Sequence, residues 1–157
     1  RLDMGKHTAI VRWSRGDDDF KANKHSRAHE WEFDGGLKVP ASASPDIVPL
    51  PYAVAENVDP EEAFVASISS CHMLFYLHKA RDEGFVVNSY EDNAVGVLAK
   101  NAAGRMAITR VTLNPVVTYQ GQAPSPEQVE SLHHQAHELC FIANSTTTEI
   151  TTNTASS

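Results

Sequence analysis

The stretch from Asp59 to Gly84 constrains this chain more than any other segment. Asp59-Pro60-Glu61-Glu62 combines several helix-start signals: a carboxylate at the N-cap, proline at the first helical position, and Glu62 three residues on to close a capping box. Gly84 supplies a natural stop. At 1.5 Å per residue such a helix runs about 36 Å, enough to cross a small domain as its central spine. Phe64, Ile68, Cys71 and Phe75 recur at i, i+4, i+7 and i+11, which predicts that they form the core-facing stripe, with Cys71 among the aromatics.

Short extended segments lie on either side. Ala9 to Trp13 reads as a strand, and Ala28 to Phe33 alternates so that His29, Trp31 and Phe33 share one face. Asp34-Gly35-Gly36 turns the chain into Leu37-Lys38-Val39. The proline-rich stretch Pro40 to Pro51 reads as an ordered loop or an edge-hugging extended segment. Phe85 to Leu98 and Met106 to Tyr119 read as two long strands joined by a hairpin at Asn101-Ala102-Ala103-Gly104, with Pro115 marking an edge or a bulge. Ser125 and Gln128 frame a second capped helix with the apolar stripe Val129, Leu132, Ala136 and Leu139. A threonine-rich tail around Ile150 has strand propensity. The order predicts a single α+β domain spanning 1–157, an antiparallel sheet packed on a long buried central helix.

Charge narrows the partners. The chain carries a net charge of −7, which argues against nucleic acid or an anionic membrane. No apolar run reaches the 18 or more residues of a membrane span, and Arg1 to His7 has no secretory h-region. Two cysteines are too few for a secreted disulfide scaffold, so a cytoplasmic, reducing compartment is expected.

Those two cysteines carry the chemistry. Cys71 lies in an apolar run, and Cys140 ends a His-rich helical pattern and precedes Phe141-Ile142. Three readings stand open. Buried cysteines are inert in most proteins. His133, His137 and Cys140 share one helical stripe, but they span about 10 Å along it, too far to share one metal ion without ligands from elsewhere. A redox couple needs one thiolate, activated by a nearby cation, and a second thiol to trap its sulfenic acid.

Asp59-Pro60-Glu61-Glu62 is followed ten residues after Glu61 by Cys71 in Ser-Ile-Ser-Ser-Cys-His-Met-Leu. Together with the segment His133 to Ser145 around Cys140, it resembles the OsmC/Ohr family of osmotically inducible and organic hydroperoxide resistance proteins. The similarity runs from Trp13 to Ile150. It implies an intertwined homodimer of α+β subunits and thiol-dependent reduction of organic (alkyl or lipid) hydroperoxides. No metal, haem or flavin cofactor is implied. Matched residue by residue, Cys71 takes the place of the peroxidatic cysteine, Cys140 of the resolving one, and Glu61 of the glutamate that positions a catalytic arginine. Arg27, from its hairpin context, is the expected arginine. Phe64, Ile68, Phe75 and Phe141 are expected to form an apolar substrate mouth, and a small-molecule dithiol or lipoyl-type protein to be the reductant.

Where better-known branches carry Phe after the first cysteine and Pro after the second, this chain has His72 and Phe141, so it resembles a less characterised branch. A non-catalytic, stress-associated binding domain on the same fold is the alternative. On one helix Glu61 and Cys71 stand about 15 Å apart and point roughly 80° apart. The expectation follows that Glu61, with Arg27, serves the Cys71 of a second chain.

Overall fold

The computed structural model describes residues 5–157. The chain forms two compact units, Arg1–Ala63 and Phe64–Ser157, with the boundary in the first turn of the long helix.

In the first unit β1 (Ala9–Arg12), β2 (His29–Phe33) and β3 (Lys38–Ala41) form an antiparallel sheet in that order. Ala9 lies opposite Phe33 and His29 opposite Ala41. The alternation in β2 is realised: Trp31 Nε1 donates to His29 Nε2 at 3.1 Å, and Trp31 meets Phe33 edge-on. The turn after β2 closes with Gly36 at φ +89°, a conformation glycine adopts without a Cβ penalty. The segment after β3 is an ordered loop, pinned where Val58 N–H donates to Pro40 O at 3.1 Å and Ser42 N–H to Val58 O at 2.9 Å.

The long helix is α1 (Pro60–Asp82). Its capping box is complete, because the Glu62 amide donates to Asp59 Oδ1 and the Asp59 amide to Glu62 Oε1, both at 2.8 Å. Gly84, at φ +86°, ends it, and Phe85 N–H returns to Ala80 O at 3.0 Å. No described helix is long and apolar enough to cross a membrane.

In the second unit the two expected long strands each break in two, giving β4 (Val86–Asp92), β5 (Val95–Lys100), β6 (Met106–Leu113) and β7 (Pro115–Gln120). The break has a visible cause. Asp92 accepts from the Asn114 amide at 2.6 Å and from the Ser69 hydroxyl of α1, while Asn114 Nδ2 donates to Asn93 O at 2.9 Å. These side-chain bonds replace ladder bonds, and Pro115 removes a donor. β4 therefore pairs with β7 and β5 with β6, both antiparallel. The threonine-rich tail adds β8 (Glu149–Thr152) beside β6 in parallel, through the crossover that α2 (Pro126–Leu139) and α3 (Phe141–Asn144) provide. Instead of one antiparallel sheet, the described residues form three small ones, one containing a parallel pair.

The buried stripe of α1 is Ile68, His72, Tyr76 and Ala80, not Phe64, Ile68, Cys71 and Phe75. An i, i+4 row forms the ridge that packs into a neighbouring helix, and this ridge meets Leu132 and Ala136 of α2. Cys71 and Phe75 lie on its flank, partly buried. On α2 the buried stripe runs Val129, Leu132, His133, Ala136 and on to Cys140, four residues further, which leaves Leu139 exposed.

Candidate active site: two neighbouring thiols

Cys140 sits where α2 ends and α3 begins. Its amide donates back to Ala136 O at 2.9 Å, and its Sγ accepts the Ala143 N–H at 3.4 Å. The Cys71 thiol, on the flank of α1, lies near enough to Cys140 to raise the pKa of the Cys140 thiol. The two cysteines, 69 residues apart in sequence, are thus neighbours in the fold as free thiols. Their surroundings differ: Cys140 is 1 % exposed, whereas Cys71 is partly exposed. Burial and the proximity of Cys71 push the Cys140 thiol above its ordinary range, while the Ala143 and Ile142 amides pull the other way.

The expected substrate mouth is only partly assembled around the thiols. Phe75 of α1 and Phe141, the residue after Cys140, meet edge-on with centroids 5.1 Å apart, and Phe141 is 68 % exposed. Ile68, by contrast, is fully buried against Val111 and Leu113 and has no surface to offer a substrate. Phe64 packs at the edge of that same cluster and lines a cavity of about 600 Å³ with Lys100, Asn101 and Thr146 to Thr148.

Sequence reasoning missed a buried imidazole pair beside Cys71. His72 Nε2 and His133 Nδ1 are 2.9 Å apart, and His133 Nε2 meets Ser157 Oγ at 2.9 Å. The i+4 spacing Ile68-His72-Tyr76-Ala80 was the available signal for it. Burial, and then the nearby His137, lower His72 to about 4, so this residue is neutral at pH 7 and supplies no cation to Cys71. For the helix-borne metal reading, His133 has both ring nitrogens engaged, by His72 and Ser157. Among the described residues no group of three His, Cys, Asp or Glu side chains is placed to hold an ion.

In the first unit the Arg27 guanidinium donates to His25 O at 2.6 Å and Asn23 Oδ1 at 2.7 Å. It lines an apolar cavity of about 420 Å³ with Trp13, Phe20 and His25, whose rings are in mutual contact. Glu61 has one buried oxygen, Oε2, without a hydrogen-bond partner. Among the described residues no ion pair joins Arg27 to Glu61; the guanidinium is taken by Asn23 and the His25 carbonyl instead.

The OsmC-like protein family matches residues 54–155. An OsmC-like protein of unknown function from Vibrio cholerae is 55 % identical, with a TM-score of 0.93 over 96 % of this chain and 99 % of that one. An organic hydroperoxide resistance protein from Elizabethkingia anophelis shares the fold at 14 % identity, with a TM-score of 0.72 over 98 % and 99 % of the two chains. One from Bacillus subtilis does so at 18 % identity, with a TM-score of 0.63 over 96 % and 98 %. No curated protein sequence matches the chain. The family match covers the first thiol, the second thiol and all of α1, and the chain belongs to the OsmC-like protein family.

Proposed function

We propose that this protein is a thiol-dependent peroxidase that reduces organic hydroperoxides. The observation that carries this reading is the proximity of a partly exposed thiol, Cys71, to a buried one, Cys140. The Cys71 thiolate attacks the distal oxygen of a hydroperoxide, the O–O bond breaks, and the alcohol leaves with a proton. The resulting sulfenic acid condenses with the Cys140 thiol, releasing water and forming a disulfide. A dithiol then restores both thiols by exchange. The organic hydroperoxide resistance proteins that share the fold support the substrate class. The apolar Phe75–Phe141 pair beside the thiols favours alkyl over hydrophilic peroxides.

The same reading assigns activation of Cys71 to Arg27 and Glu61 of a second chain. Ten residues of α1 place a chain's own Glu61 about 15 Å along the helix from its Cys71. A buried glutamate oxygen without a donor favours a partner from outside the chain. An obligate homodimer follows.

The test is a titration of free thiols before and after one equivalent of cumene hydroperoxide, with and without a chelator. Loss of two thiols per chain is the expected result. No loss would leave the protein a non-catalytic binding domain, and protection that the chelator abolishes would return the thiols to a metal site.

A further inference from the structure

The two thiols differ in ways that bear on how the oxidised protein is reduced. Cys140 is 1 % exposed, at the junction of α2 and α3, while Cys71 retains accessible surface on the flank of α1. A thiolate must approach a disulfide along the S–S axis, so access decides which sulfur is attacked. The buried sulfur has something the accessible one lacks in the structure: an amide donor, Ala143 N–H, aimed at it from 3.4 Å.

Resting on the disulfide reading above, we infer that reduction is directional: the reductant attacks Cys71 Sγ, and Cys140 is always the leaving sulfur, received by the Ala143 amide. The incoming thiolate forms a new S–S bond to Cys71 while the Cys71–Cys140 bond breaks and its electron pair goes to Cys140 Sγ. The Ala143 N–H stabilises that anion as it forms, which a hydrogen bond to a charged acceptor does more strongly than one to a neutral acceptor. Burial then favours the neutral thiol, so Cys140 takes up a proton from the medium. A protonated Cys140 is a poor nucleophile and does not re-attack the mixed disulfide. A second reductant thiolate attacks the reductant's own sulfur in that adduct and expels Cys71 as the thiolate. Two reductant thiols are oxidised to one disulfide, and two protein thiols are regenerated.

Each thiol is thereby assigned one role in exchange. The exposed Cys71 handles both external reactants, peroxide and reductant, while Cys140 meets neither. Ala143 acts as a positioned donor through its backbone, so its side chain is irrelevant and its amide is not.

The experiment forms the disulfide with diamide, which needs no peroxidase activity. The oxidised protein is mixed with excess glutathione as a monothiol probe and quenched in acid after milliseconds to seconds. Newly freed thiols are then alkylated and the adducts mapped by peptide mass spectrometry. The expected result is glutathione on Cys71 and the alkyl label on Cys140, by about ten to one or more. Glutathione on Cys140, an even split, or no intramolecular disulfide with diamide would each overturn the inference. Failure of the peroxidase reading shows separately, as thiols that cumene hydroperoxide leaves intact although diamide oxidises them. A143P removes the amide donor at a first-turn position where proline is tolerated and should slow glutathione reduction about tenfold, while A143G, which keeps the amide, should not. Equal rates in the two variants would remove Ala143 from the mechanism.

Discussion

His72 Nε2 and His133 Nδ1 lie 2.9 Å apart in nearly parallel rings, 8° between planes, and join α1 to α2 one residue from Cys71 and seven from Cys140. His133 also stacks on Tyr76, with centroids 4.2 Å apart. Ser157 Oγ, which donates to Pro115 O at 3.2 Å, leaves its own oxygen to accept from His133 Nε2. With the Ser157 hydroxyl proton on Pro115 O, His133 carries its proton on Nε2, and His72 Nε2–H is the donor between the rings. The pair is a neutral, directional chain with no site for an extra proton between the rings.

Acid should therefore unfold this protein earlier than its carboxylates alone require. Burial lowers His72 to about 4 and His133 to about 3, both from 6.5. His137 works in the same direction on His72, and Asp92 against it. The unfolded chain binds more protons below pH 6.5, so the stability is fully present above that pH and falls as pH drops towards 4. The expected loss between pH 7.5 and pH 5 is about 2 kcal/mol for each histidine and so about 4 kcal/mol for the pair, read from urea unfolding at the two pH values. The H72F/H133F double variant should flatten that slope; an undiminished slope would place the titration elsewhere.

Gly96 on β5 is fixed by packing. A Cβ built there would stand 2.5 Å from Val65 Cγ2 on α1, and a helical valine has little rotamer freedom with which to withdraw. G96A should cost about 1–3 kcal/mol by thermal denaturation. Adding V65A should recover a good part of that loss. If the double variant is merely the sum of the two single ones, the close approach is not the cause.

Asp92 holds the break between the strand pairs, accepting from Ser69 of α1 and from the Asn114 amide. D92A leaves both donors without their acceptor and should cost about 2 kcal/mol. S69A removes one bond and should cost less. Amide exchange at Asn114 should accelerate in D92A but not in S69A, a distinction that a general loosening of the core would not produce.

If Arg27 of one chain activates Cys71 of another, R27A should lower both the rate of thiol alkylation at pH 6 and the rate of peroxide reduction, in proportion. N23A, which removes one of the bonds that hold Arg27 in the single chain, should not lower either rate. Mixing C71S chains with E61A chains should restore one working site per heterodimer. A mixture as inactive as its parents would place all the residues of a site in one chain.

The sequence by itself determined what is local. Both capping boxes, the glycine stop after Asp82, the hairpin at Asn101 to Gly104 and the turn at Gly36 depend on atoms three or four residues apart, so their residue types suffice to specify them. The two cysteine segments were legible too, as the only thiols in the chain and in the spacing from Asp59 to Cys71. Packing decided the rest. Which stripe of α1 is buried depends on the ridge that α2 presents, so His72 went inside and Cys71 to the flank. The long strands broke because Asp92, Asn93 and Asn114 found one another and Ser69 across the fold, contacts no periodicity encodes. The inequality of the two thiols, on which the proposed chemistry turns, exists only because the i+4 row of α2 carries on through its C-cap and buries Cys140, while Cys71 stands one residue off the buried row of α1.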